Sequence, residues 1–251
     1  MMLVRPSASR PFLVGVAAIF AVGSSASAIA QEPNQPAPPA STAVSWSAVL
    51  AGPGPGELAQ ALSRPFGNPF EARRPGGTPK LVRSCADMLG LPEGYGPAGT
   101  DADQRGFAAQ AVRCRVIRLL LDAKPARESH VDGFALADDG VFRALPASMI
   151  PVPTTPPTPF MPPTKPGPRW AARDPKTKIV GVRGDRVVSE GPAIHVNLTL
   201  LGRADVDGDG LLDVIVERVG TTRDARWSAT QAFVLTKRKP NEPLEAIARI
   251  D

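Results

Sequence analysis

From residue 151 the chain reads Pro-Val-Pro-Thr-Thr-Pro-Pro-Thr-Pro, followed by Pro162-Pro163, Pro166 and Pro168. Proline fixes φ and lacks an amide donor, so such a run is barred from helix and from the interior of a sheet. It is expected as an extended, polyproline-like linker. The apolar residues before it recur at helical spacing, and those after it alternate. The sequence therefore predicts an α+β chain: a small helical domain at 57–150, a proline-rich linker at 151–168, and a separate antiparallel β domain at 169–251. Residues 31–56, rich in Pro, Ala, Ser and Gly, read as a disordered tether, within which Val44 to Leu50 can pack locally.

Residues 1–30 carry the pattern of a secretory signal peptide. Arg5 and Arg10 precede the apolar run Phe12 to Gly23, and Ala28-Ile29-Ala30 offers the small residues that a signal peptidase reads. Cleavage is expected before Gln31, with cleavage after Ala28 as the alternative. The apolar run is far short of the roughly 20 residues that span a bilayer, and no later stretch is long enough either. The predicted address is periplasmic or secreted, with no transmembrane segment after cleavage. Losing Arg5 and Arg10 lowers the formal net charge from +5 to +3. So mild a charge, with no basic stripe interleaved with aromatics, speaks against nucleic acid as a partner.

In the helical half, Thr78-Pro79 suits a helix start. Leu81, Val82, Cys85, Met88 and Leu89 then fall on one face up to Gly90. A longer helix follows, capped by Thr100 or Asp101, with the stripe Phe107, Ala111, Cys114, Ile117, Leu120 and Leu121, and Pro125 stops it. The two cysteines of the chain, Cys85 and Cys114, both lie on these stripes. In an oxidising compartment an even pair reads as one disulfide, here clamping two helices; two buried free thiols are the alternative. After the prolines, strands are expected at Lys178 to Arg183 and Arg186 to Ser189 around Gly184-Asp185, then at Ile194 to Leu201, Leu211 to Val219 and Thr230 to Lys237, with Leu244 to Ile250 as a candidate for one more. They suggest one antiparallel sheet of about five strands.

One motif carries chemistry. Asp205-Val206-Asp207-Gly208-Asp209-Gly210-Leu211-Leu212-Asp213 sets carboxylates at positions 1, 3, 5 and 9 of a loop. Calcium takes six to eight oxygens, and such spacing aims alternate side chains inward. Gly208 and Gly210 permit the turn without a Cβ clash. The expected ligands are Asp205, Asp207, Asp209, the carbonyl of Leu211 and Asp213. Magnesium, which keeps more of its water, fits less well. An EF-hand demands an acid at position 12, where this chain has Val216, and helices where it has strand-forming runs.

With Leu200-Leu201-Gly202 before it and Val214-Ile215-Val216 after it, the loop resembles the FG-GAP (VCBS-type) calcium repeat. In that repeat Asp-x-Asp-Gly-Asp-Gly-x-x-Asp joins two β-strands. The resemblance covers about 20 residues, Leu200 to Val219, and implies calcium as the cofactor. A single copy is present with no repeat period, so it predicts no propeller.

No Gly-x-Ser-x-Gly or His-Glu-x-x-His run is present. The chain is therefore expected to be a non-enzymatic exported binding or structural protein, stabilised by calcium, whose partner is a protein or glycan of the cell envelope. The alternatives are a secreted hydrolase, drawing on Ser129, His130 and Asp132 or on Asp138 and Asp139, and an inhibitor of a secreted enzyme. The exported form should begin at Gln31, or at Ile29. N-terminal sequencing checks this, and an exported protein that keeps Met1 contradicts it.

Overall fold

The computed structural model describes residues 42–51, 56–154, 159–162, 165 and 167–251. The signal segment and the first part of the tether lie outside these residues. In chain order the elements are β1 (Ser45–Trp46), α1 (Glu57–Ser63), β2 (Phe70–Arg73), β3 (Lys80–Val82), α2 (Cys85–Leu89), β4 (Gly96–Pro97), α3 (Asp101–Asp122) and α4 (Asp139–Ala144). A 3-10 turn at Ala147–Met149, α5 (Trp170–Arg173) and six strands complete the chain: β5 (Lys178–Arg183), β6 (Arg186–Glu190), β7 (Ile194–Ala204), β8 (Asp213–Thr222), β9 (Ser228–Thr236) and β10 (Glu245–Ile250). The class is α+β, with a mostly antiparallel sheet.

Strands β5 to β10 form a meander in sequence order, every neighbour antiparallel. The short β1 joins β7 beyond the reach of β6, pairing Ser45 with Arg203 and Trp46 with Gly202. Gly202 is obligatory here: a Cβ would come within 2.8 Å of the Ser45 carbonyl and 2.9 Å of Leu120. The register of β7 shifts between Leu200 and Gly202. Val196 and Leu198 therefore serve one face of the sheet, and Leu201 and Ala204 the other.

Both faces are covered. Helix α3 is well started: Thr100 Oγ1 accepts from the Asp103 amide, and the Asp103 carboxylate accepts from the Thr100 amide at 2.8 Å. Its buried residues Phe107, Val112, Cys114, Val116, Ile117 and Leu120 pack with Leu201, Ala204, Ile215, Ala232 and Val234 of the sheet. On the opposite face Phe142, Leu145, Met149 and Trp170 pack with Val196, Leu198, Val214, Val216, Phe233 and Leu235. Double coverage explains why Val214, Ile215 and Val216 of β8 form an apolar run instead of alternating.

The expected division into two domains is corrected by this packing: all described residues belong to one compact unit. The helical stripe does not close on a core of its own; it supplies one cover of the sheet. The prolines do not separate the halves either. Pro151 is buried against Gly220, where an added Cβ would come within 2.7 Å of it. Phe160 meets Phe233 edge-on at 6.1 Å between ring centres. At Pro151 and Phe160 the segment is laid against the sheet. Part of the expected tether is also corrected, since β1 pairs with β7 and Leu50 and Ala51 are buried.

The helix expected from Pro79 is a strand, a turn and a short helix. Leu81 is exposed and Val82 buried, the alternation of β3. Ser84 then caps α2, its hydroxyl accepting from the Asp87 amide at 3.1 Å. β3, β2 and β4 form a separate three-stranded sheet inside the region read as helical.

Two links tie the helices down. Cys85 and Cys114 form a disulfide, with Cα atoms 5.1 Å apart and a separation of 29 residues. Closing a loop of that length contributes about 3–4 kcal/mol in the chain-entropy account. Arg113 of α3 grips Glu217 of β8 through two bonds, of 2.8 and 3.0 Å. The Glu217 side chain is only 2% exposed. Arg113→Ala strands that carboxylate, and removing one partner of a buried pair costs about 3–5 kcal/mol. Urea unfolding should show such a loss for Arg113→Ala, in one transition common to helix and sheet signals. Pairing Arg113→Met with Glu217→Leu should recover most of it.

Candidate metal site

The acidic loop connects β7 to β8, and Ala204 pairs with Asp213 at its base. A central hairpin buried on both faces thus holds the two ends of the loop. Gly208 and Gly210 lie at φ of 84° and 90°, the left-handed region open to glycine. At Gly210 a Cβ would also strike the Arg127 guanidinium at 2.4 Å.

Asp205, Asp207 and Asp209 each offer a carboxylate oxygen, and these three atoms lie within 4.8 Å of one another. The carboxylates are not simply mutual repellers. Asp205 accepts from the Gly208 amide at 2.8 Å and the Gly210 amide at 3.0 Å. Asp207 accepts from the Asp209 amide at 3.2 Å, and Asp209 from the Leu211 amide at 2.7 Å. Backbone N–H groups thereby offset part of the negative charge and set each side chain's direction. Asp205 is buried, whereas Asp207 and Asp209 are exposed.

Asp213, the fourth carboxylate of the motif, stands outside this 4.8 Å cluster and is fully buried. Its Oδ2 accepts from the Val206 amide at 3.0 Å, while Oδ1 is buried with no hydrogen-bond partner among the described residues. Burial pushes this carboxyl up to about 7; the Val206 amide and the Thr236 hydroxyl oppose the rise, and the charges of Asp207 and Asp209 add to it. The three clustered carboxylates of Asp205, Asp207 and Asp209 form an oxygen donor set that suits a hard divalent cation. With only oxygens and no His or Cys in the cluster, it does not suit a soft metal. Leu211 stands in a bridge to Glu128, between the carboxylates of Asp209 and Asp213 along the chain.

A third segment completes the surroundings, one that spacing in the sequence does not reveal. Leaving α3, the chain runs alongside the loop. Lys124 and Asp205 exchange backbone bonds of 3.2 and 3.1 Å, and the amides of Arg127 and Glu128 donate to the Gly210 carbonyl. Leu212 in turn donates to the Glu128 carbonyl at 2.9 Å. Arg127 Nη2 reaches the Asp209 carbonyl at 3.1 Å. The one sequence signal pointing here is Pro125, which ends the helix and sends the chain back over the sheet.

The other candidate residues have local roles. Asp138 caps α4 by accepting from the Val141 amide, and Asp139 pairs with Arg143 at 2.6 Å. His130 lies 3.4 Å from Glu128 and shares a cavity of about 430 Å³ with Asp132 and Asp138. Ser129 Oγ accepts from the Val131 amide at 3.4 Å. Ser129, His130 and Asp132 show no hydrogen bond to one another among the described residues. No described helix is long and apolar enough to cross a membrane.

Compared with family models, with curated proteins and with solved structures, the chain finds no match.

Asp213 gives the metal-free protein a pH signature. A carboxyl raised from about 3.9 when unfolded to about 7 when folded binds its proton more tightly in the native state. Its contribution to stability is therefore present at low pH and is lost as pH rises through about 7. In chelator, Asp213→Asn should raise the melting temperature at pH 8 and flatten its fall between pH 5 and 8. An identical pH profile in both proteins contradicts this placement of the proton.

Proposed function

We propose that the loop from Asp205 to Asp213 is a calcium site of the FG-GAP type. The protein would then be an exported, non-enzymatic binding or structural protein that calcium stabilises. The observation that carries the reading is the cluster of Asp205, Asp207 and Asp209, whose carboxylate oxygens lie within 4.8 Å of one another. The three clustered carboxylates, Asp213 and the Leu211 carbonyl would hold the ion. When bound, it supplies positive charge that neutralises the loop and the buried Asp213.

The consequence for the chain follows from what the loop touches. Ordering residues 205–213 also orders their bonds to Lys124, Arg127 and Glu128, so the exit of α3 becomes fastened to the β7–β8 hairpin. Free energy of binding becomes free energy of folding, because the unfolded chain has no such site. Export supports this division of labour: calcium is plentiful outside the cytoplasm, and the Cys85–Cys114 bond forms in oxidising compartments. The partner in this reading is a protein or glycan of the envelope.

Calorimetric titration tests the metal. Extracellular calcium modules bind at about 0.1–1 mM. At ten times the dissociation constant the folded state gains about 1.4 kcal/mol. Calcium should therefore raise the melting temperature of the whole protein, and magnesium much less. Asp209→Ala should abolish that shift and leave the chelated protein close to wild type, since Asp209 is exposed. Asp205→Ala should abolish it too and also destabilise the chelated protein, because Asp205 holds two amides. No heat of binding up to ~10 mM calcium, well above that range, would overturn the reading. Affinity capture from periplasm or medium, with and without chelator, addresses the partner.

A further inference from the structure

A cavity of about 650 Å³ lies on the face of the sheet opposite α3, within the size range of small-molecule sites. Arg218 of β8 and Gln231 of β9 line it together with Arg249 of β10; Val152, Phe160 and Trp227 contribute apolar lining. Arg218 is buried, 4% exposed. One of its terminal nitrogens donates to the Met149 carbonyl at 2.6 Å and the other to Gln231 Oε1, while Nε is buried with no partner.

No carboxylate among the described residues forms an ion pair with Arg218. The acid nearest in arrangement, Asp251, is engaged by Arg249 at 2.9 Å and by Gln231 Nε2 at 2.5 Å. Arg173 also lines the cavity, so three guanidiniums and no carboxylate side chain are among its lining residues. Burial, and after it the like charge of Arg249, push Arg218 down to about 9; Asp251 opposes the fall. A desolvated guanidinium with no counter-charge is costly, and its forked N–H groups match a carboxylate. The aromatic rings are aligned with the charges: Arg218 lies 5.0 Å from the Phe233 ring centre, and Arg249 lies 5.7 Å from that of Phe160.

We infer that this cavity binds a small organic acid with an apolar body, its carboxylate on Arg218 and Arg249 and its body along Val152, Phe160 and Trp227. The inference is independent of the metal site, which involves none of these residues. A singly charged head suits a cluster already partly neutralised by Asp251, and the apolar lining gives a bare inorganic anion nothing to bury.

The test is calorimetric titration of the full chain with 4-phenylbutyrate, its uncharged amide, and inorganic phosphate. The acid should bind one-to-one and saturably, with the amide and phosphate weaker by about tenfold or more. Arg218→Met should abolish binding of the acid. Because Arg218 also holds the Met149 carbonyl, Val152→Asp serves as a second variant. Val152 is half exposed, so this change should leave the melting temperature in place while weakening the acid about tenfold or more by charge repulsion. Failure of the wild type to bind the acid, equal affinity for the amide or for phosphate, or unchanged binding by Val152→Asp overturns the inference.

Discussion

Strands β8 and β9 are buried on both faces, and the rest of the molecule is arranged to satisfy that demand. Apolar surface of that extent can be removed from water only by a cover on each side. Helix α3, with its disulfide to α2, provides one cover. The segment from Ala126 to Ile150, with Phe160 and Trp170, provides the other. Arg113 and Glu217 mark the first contact with a charged pair, whose geometry fixes how the helix lies over the strand. The helical and β regions are layers around one sheet and neither stands alone.

Charge is handled differently on the two sides of the loop. At Asp205, Asp207 and Asp209, backbone amides offset repulsion and the exposed carboxylates remain hydrated. Asp213 is fully buried, and burial works against its ionisation in spite of the Val206 amide and the Thr236 hydroxyl. That contrast gives a cation something to stabilise beyond a surface turn. Arg218 on the opposite face is the mirror case, a buried cation held by neutral acceptors instead of a carboxylate.

Much of the local structure follows from residue chemistry alone. The strands β5 to β10 fall within a few residues of where alternation places them, and the Gly184-Asp185 turn joins β5 to β6 as its residues dictate. Thr100 caps α3, and the two stripe cysteines are bonded. The stretch after Pro79 was not legible as strand, because Leu81, Val82 and Cys85 satisfy a helical period as readily as an alternation. Only the pairing of β3 with β2 resolves that ambiguity. The bulge at Leu200–Gly202 was equally hidden: nothing in the run announces that Ala204 joins Leu201 on the α3 face, where alternation from Val196 and Leu198 would set it opposite.

The sequence by itself determined the carboxylate spacing of the loop, the glycines that let it turn, the disulfide partners and the class of the fold. These are local matters, set by φ preferences, side-chain chemistry and short periods. Long-range packing set Pro151 and Phe160 against the sheet and made Lys124 to Glu128 brace the loop. It also decided that Asp213 is deprived of water while Asp207 is not. Each of these depends on which surfaces meet across long separations in the chain. A local pattern fixes the shape of a segment, but burial is decided by what packs against it.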